Sequence, residues 1–201
     1  MSYKDLSKTF EGLITSDKLS HSYIFFGENQ SSILEFSQEL ANFLETGNFS
    51  KPKTILQDLS VISPNEKGNI GIDEARALKN FLYSRPALSK RRTAIINGFE
   101  NLTSEAQGAI LKIVEEPPKQ SLIILVGQSP DNLFATAASR FQKIYFSSNG
   151  LESDKKPKKK NGNNDDQLEK LIELITKLKK DPKKNLAVLK EALNRFSLMK
   201  R

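Results

Sequence analysis

Thr103-Ser104-Glu105-Ala106-Gln107-Gly108-Ala109-Ile110-Leu111-Lys112-Ile113-Val114-Glu115-Glu116-Pro117-Pro118 reads as one helix with both of its ends marked. Thr103 offers a side-chain oxygen to the free amides of the first turn, as an N-cap does. An apolar face follows, and Pro117-Pro118 forbids continuation because proline lacks the amide and clashes with the preceding turn. The helix lies between two strand-like runs. Arg92-Thr93-Ala94-Ile95-Ile96-Asn97 precedes it, and the continuous apolar run Ser121 to Val126 follows. A run apolar throughout is the mark of a strand buried on both faces, as in a parallel sheet.

The same alternation extends in both directions. Phe10 to Leu19 is a short amphipathic segment, and His21-Ser22-Tyr23-Ile24-Phe25-Phe26 is a strand stopped by Gly27. Ser31 to Leu44 carries Ile33, Leu34, Phe36, Leu40, Phe43 and Leu44 at helical spacing. Asp58 to Ile62 is a second strand, and Ile72 to Ser84 a helix whose Asp73-Glu74 start suits the positive end of its dipole. Asn132 to Ala138 predicts a short helix, and Lys143 to Phe146 a last strand. Strands alternating with helices predict an α/β fold with a parallel sheet covered on both faces.

Composition narrows the function classes. The 201 residues contain no cysteine and one histidine, His21, which removes disulfides, thiolate metal sites and multi-histidine centres. No metal or other cofactor is expected. No apolar run is long enough to span a membrane, and the N-terminus lacks a signal pattern, so a cytoplasmic protein is expected. The net charge of +7 is unevenly placed. Residues 1–150 carry 16 Lys and Arg against 16 Asp and Glu, while residues 151–201 carry 15 against 8. The domain boundaries expected are 1–148 for the α/β domain, 149–166 for a basic flexible linker and 167–201 for a helical hairpin.

Several sites invite a chemical reading. A phosphate-binding loop after the first strand needs glycine, then glycine-lysine-hydroxyl at fixed spacing. Counted from Gly27, those slots hold Ser32, Ile33 and Leu34, so an ordinary strand-turn-helix is favoured. The third strand ends in Asn97-Gly98-Phe99-Glu100, where Glu100 alone is a poor magnesium site and reads as a surface carboxylate. Glu115-Glu116-Pro117-Pro118 places two carboxylates at a helix C-terminus with no second catalytic group near in sequence, and reads as a rigid turn. Ser139-Arg140 is equally an ordinary solvated arginine or one presented to a partner's phosphates, where its fork gives bidentate contacts. The lysine run over 155–160 reads first as a solvated linker, with nucleic-acid backbone contact as a secondary role.

Together these residues resemble the delta-prime subunits of bacterial DNA polymerase III clamp loaders, a family of the AAA+ superfamily. The resemblance rests on His21 to Gly27, Ile72-Asp73-Glu74-Ala75-Arg76, Ala106 to Pro118 and Ala135-Thr136-Ala137-Ala138-Ser139-Arg140, and covers roughly residues 1–147. Its most specific part is Leu111-Lys112-x-x-Glu115-Glu116-Pro117-Pro118. The resemblance implies an AAA+ (P-loop-like) domain with a five-stranded parallel sheet, and ATPase subunits of a clamp loader as partners. The sliding clamp and primed DNA are further candidate partners. It also implies that Arg140, supported by Ser139, serves as an arginine finger in trans for a neighbouring ATPase.

This sequence departs from the family at three points. The stretch Phe43 to Asp58 lacks the four-cysteine zinc module. Phe141 stands where the family has a cysteine after Ser-Arg. The chain is also too short for both a helical lid and a collar, so the hairpin is read as a reduced lid or docking element. The function expected is a non-catalytic loader subunit with a degenerate phosphate loop at Gly27, Ser32, Ile33 and Leu34. The alternatives are an active ATPase with an atypical loop and a DNA-binding adaptor acting through the basic tail.

Overall fold

A computed structural model describes residues 3–147. The expected linker over 149–166 and hairpin over 167–201 lie outside the described residues. Five parallel strands form one sheet in the order β2-β3-β4-β1-β5, with β1 Ser22–Gly27, β2 Leu59–Ile62, β3 Arg92–Asn97, β4 Ser121–Gly127 and β5 Gln142–Phe146. The helices are α1 Tyr3–Thr15, α2 Gln30–Thr46, α3 Ile72–Tyr83, α4 Ser104–Glu115 and α5 Ala135–Ala138. This is the α/β architecture that the strand-helix alternation predicts.

Strand periodicity sorts the side chains into two cores, because alternate residues of a strand face opposite sides of the sheet. Tyr23, Phe25, Ile95, Leu122, Ile124 and Val126 face one layer, packed with Leu6 and Phe10 of α1 and Ile33, Phe36 and Leu40 of α2. Ile24, Ala94, Ile96, Ile123 and Leu125 face the other, packed with Leu78 and Leu82 of α3 and Ile110, Ile113 and Val114 of α4. All of β4 is buried, as its apolar run predicts. The first layer is aromatic: Phe25 lies 5.5 Å from Phe10, 6.0 Å from Phe36 and 5.2 Å from Phe146, centroid to centroid. Tilted and edge-on ring pairs of this kind add stability beyond the area they bury.

The N-terminal segment differs from the reading over Phe10 to Leu19. The helix starts at Tyr3 and ends at Thr15, because Leu6 and Phe10, one turn apart, both reach the core, and Asp17 then takes a left-handed turn at φ 54°. The predicted helix over Asn132 to Ala138 also divides. Pro130–Asn132 is a 3-10 turn capped by the Ser129 hydroxyl, Phe134 is extended, and only Ala135–Ala138 is α-helical.

Asp58 closes the lower end of the sheet. Its carboxylate is 2% exposed and accepts the amides of Ala87, Leu88 and Ser89, each at 2.7 Å, with the Arg92 guanidinium 3.6 Å away. Burial pushes its pKa up, but the three amides and Arg92 outweigh burial and hold it below the ordinary aspartate value. A depressed folded-state pKa gives stability that is present above the unfolded value of ~3.9 and is lost as pH falls through the folded value. Asp58→Asn leaves at least one of these amides without a full acceptor, and is expected to cost about 2–4 kcal/mol in urea unfolding at pH 7. The penalty should shrink below pH 4, where the wild type loses the same contribution.

Ile33 gives a second test. It has no exposed surface and sits in the aromatic layer. Ile33→Lys, which writes a phosphate-loop lysine into its slot, is therefore expected to destabilise the fold by about 3–5 kcal/mol in thermal or urea unfolding.

Candidate functional site

In a parallel sheet, ligands bind beyond the carboxyl ends of the strands, where the strand order reverses. Here the chain leaves β1 for the far edge at β2, fills back through β3 to β4, and then places β5 on the other side of β1. The ends of β1, β3 and β4 therefore frame the crevice that a nucleotide would enter. Gly27 ends β1, Asn97 ends β3 and Gly127 ends β4.

The polar groups at these ends bond to one another. The Asn29 side chain caps α2 by accepting the amide of Ser32 at 3.1 Å. Gln30, in the first turn of the same helix, donates its side-chain amide to Asn97 Oδ1 at 2.9 Å. Asn97 Nδ2 in turn reaches the Ser63 hydroxyl at 3.4 Å. Glu100 is not the free surface carboxylate that the sequence predicts. It lies in a 3-10 turn, Phe99–Asn101, is half-buried, and accepts the amide of Gln128 while its carboxylate lies over Gly127. A side chain at Gly127 would collide with that carboxylate.

The predicted phosphate-loop residues are brought together at the start of α2 with different surroundings. Gly27 is required by packing, since a Cβ there would overlap the Phe146 carbonyl oxygen of β5. Ser32 is half-buried and contributes its amide to the Asn29 cap. Ile33 points into the aromatic core, and Leu34 packs against its rim.

The second constellation lies around α4. Thr103 caps this helix, accepting the amide of Ala106 at 3.3 Å, as the sequence predicts. Leu111, Pro117 and Pro118 are half-buried, while Lys112, Glu115 and Glu116 are exposed. The proline turn is tied down by Tyr83, whose hydroxyl donates to the Glu116 carbonyl at 3.2 Å, and by Ser121, which donates to the Pro118 carbonyl at 2.7 Å.

Ser139 and Arg140 follow α5 directly. The Arg140 carbonyl accepts the hydroxyl of buried Ser22 at 2.9 Å, which fastens this segment to the start of β1. Ser139 donates to the Thr136 carbonyl at 3.0 Å, and Arg140 Nη1 donates to the same oxygen at 2.6 Å. Arg140 Nη2 pairs with Glu115 Oε1 at 2.9 Å, with the two side chains 40% and 41% exposed. Phe141 is buried in the α3–α4 core and anchors the chain as it enters β5.

Sequence reasoning quoted Glu115 and Arg140 separately and missed their pairing. It also missed Gln30, Ser63 and Gln128. A glutamine at the start of α2 and an asparagine at the end of β3 are complementary in hydrogen bonding, and that is the one signal the sequence offers for the first of these. Among the described residues, no helix is long and apolar enough to cross a membrane.

A family model described as DNA polymerase III, delta subunit, matches residues 3–150. The DNA polymerase III subunit delta' of Bacillus subtilis is 26% identical over 154 residues, covering 66% of this chain and 44% of that protein. The DNA polymerase III subunit gamma/tau of Mycobacterium tuberculosis is 26% identical over 140 residues, covering 63% of this chain and 24% of its own length. The chain thus spans less than half of these relatives. The crystal structure of a DNA polymerase III gamma subunit-related protein from Thermotoga maritima superposes with a TM-score of 0.54 at 28% identity, covering 73% of this chain and 46% of the other. With the family match extending over most of the chain and a solved relative sharing its fold, this protein belongs to the DNA polymerase III delta-subunit family of clamp-loader AAA+ proteins.

Proposed function

We propose that this chain is a non-catalytic subunit of a clamp loader, scaffolding the assembly and donating Arg140 in trans to the ATP site of a neighbouring ATPase subunit. One contrast carries the reading. At the strand ends where a nucleotide would bind, Gln30 is bonded to Asn97 and Glu100 to the Gln128 amide, while Arg140 stays partly open to solvent on a segment fixed at its backbone. A nucleotide would have to break the Gln30–Asn97 bond and would find an isoleucine core residue in the lysine slot. The degenerate phosphate loop of Gly27, Ser32, Ile33 and Leu34 supports a silent site for that reason.

Arg140 suits the opposite task. A guanidinium keeps its charge at any physiological pH and offers paired donors to phosphate oxygens. Placed against the transferring phosphoryl group of another subunit, it would stabilise charge that spreads over those oxygens in the transition state. Ser139 supports it by bonding to the same Thr136 carbonyl that receives Nη1. The signature Leu111, Lys112, Glu115, Glu116, Pro117 and Pro118 forms the helix end beside this arginine. The partners proposed are gamma/tau-type ATPase subunits in the cytoplasm, with the sliding clamp and primed DNA as ligands of the whole assembly. The charge of residues 151–201, 15 basic against 8 acidic, favours a secondary contact of that stretch with the DNA backbone.

Three measurements test this. Calorimetry on the isolated chain should detect no ATP binding in the micromolar range, and micromolar affinity would replace this reading with an active ATPase. In a reconstituted loader, Arg140→Ala should slow turnover at the adjoining site by ~10³-fold or more, the scale of a trans-acting arginine. Equal clamp-loading ATPase in wild type and variant would exclude the role. DNA affinity that is steeply salt-dependent and disappears on deletion of residues 151–201 would establish the tail contact.

A further inference from the structure

We propose that Glu115 is the positioning residue for Arg140, holding one edge of the guanidinium so that the other is presented outward. The inference rests on reading Arg140 as a trans-acting arginine, and it names the group within this chain that aims it.

An arginine side chain has four rotatable bonds and large rotamer freedom, so an unsupported finger would seldom point at its target. Arg140 has two supports. Nη1 donates to the Thr136 carbonyl at 2.6 Å, and Nη2 meets Glu115 Oε1 at 2.9 Å. Each support takes one hydrogen of a terminal nitrogen. The Nε hydrogen and the second hydrogen of each terminal nitrogen remain, enough for a two-point contact with phosphate oxygens. The carboxylate thus sets the plane of the fork without using up its donors.

Glu115 is well placed for this because of how α4 ends. Pro117-Pro118 stops the helix, which makes Glu115 its final residue. A cation near a helix C-terminus is favoured by the dipole, so Arg140 meets both a carboxylate and the negative end of α4. The same helix holds the other end of the segment. Gln107 Oε1 accepts the amide of Phe134 at 3.0 Å, eight residues before Glu115, or ~12 Å along the helix axis. The stretch from Phe134 to Arg140 is therefore clamped at both ends by one rigid rod. Glu116, next in sequence, makes no comparable contact among the described residues: its carbonyl holds Tyr83, and the ion pair to Arg140 comes from Glu115.

The test uses the full chain reconstituted with its ATPase subunit, comparing wild type, Glu115→Ala, Glu115→Gln, Arg140→Ala and the Glu115→Ala/Arg140→Ala double variant. The measurements are maximal ATP hydrolysis and the chain concentration giving half-maximal stimulation. Loss of an exposed pair of this kind should lower the maximal rate of Glu115→Ala by roughly fivefold. The half-maximal concentration should stay within about twofold, because Glu115 aims the arginine and does not bind the partner. Glu115→Gln retains an acceptor for Nη2 and should recover most of the rate. The double variant should match Arg140→Ala, since a positioning residue has nothing left to position.

An unchanged or raised rate in Glu115→Ala would overturn the proposal, the raised rate by making the carboxylate a competitor for the arginine. Additive losses in the double variant would overturn it as well. If Arg140→Ala itself has no effect, the trans-arginine reading fails. If Arg140→Ala is slow while Glu115→Ala matches wild type, only the positioning role fails.

Discussion

The parallel pairing of β1, β3 and β4 is the constraint on which the rest of this domain depends. β4 is buried along its whole length and hydrogen-bonded on both sides, to β3 and to β1. A strand in that position needs helices on both faces, and parallel neighbours need long crossovers to bring the chain back. The helices satisfy both needs at once. They also divide the labour: α1 and α2 cover the aromatic face, α3 and α4 the aliphatic one. The carboxyl ends of the strands are thereby gathered on one rim of the sheet, and Arg140 is fastened at the opposite one, where Ser22 begins β1.

The two ends of the sheet carry different polar arrangements. At the carboxyl ends, Gln30 bonds to Asn97 and Glu100 to the Gln128 amide, so a ligand there would exchange these bonds for new ones. Beside α4, the Arg140 guanidinium is only partly satisfied and remains accessible. The same secondary structure thus carries mutually bonded polar groups at one end of the sheet and a partly exposed arginine at the other. The difference lies in which residues occupy the helix starts and the helix end, with no change to the sheet.

Much of the fold was legible because local signals agreed with tertiary needs. The apolar run Ser121 to Val126 marks β4, and Thr103 with Pro117-Pro118 brackets α4 to within one residue. The segment after Pro130 was misread because its apolar spacing is helical while its bonding is not. The amide of Phe134 is taken by Gln107, far away in sequence, so the helix cannot form through it. Likewise Ile33 and Leu34, at the phosphate-loop spacing from Gly27, are legible as apolar residue types. The bonds that fill the crevice join residues as much as 67 positions apart, as in Gln30 to Asn97, and only folding reveals them. Glu115 is legible as a signature residue and Arg140 as a candidate arginine finger, but their contact depends on the Ala135–Arg140 segment lying beside the end of α4.

Gly27 bears on how the end of such a strand is read. Its missing side chain makes room for the Phe146 carbonyl on the neighbouring strand, a requirement with no connection to phosphate. The sheet alone therefore demands glycine at this position, whatever the loop after it binds. A glycine at the end of a first strand is thus no evidence by itself for phosphate chemistry, because the neighbouring strand accounts for it in full.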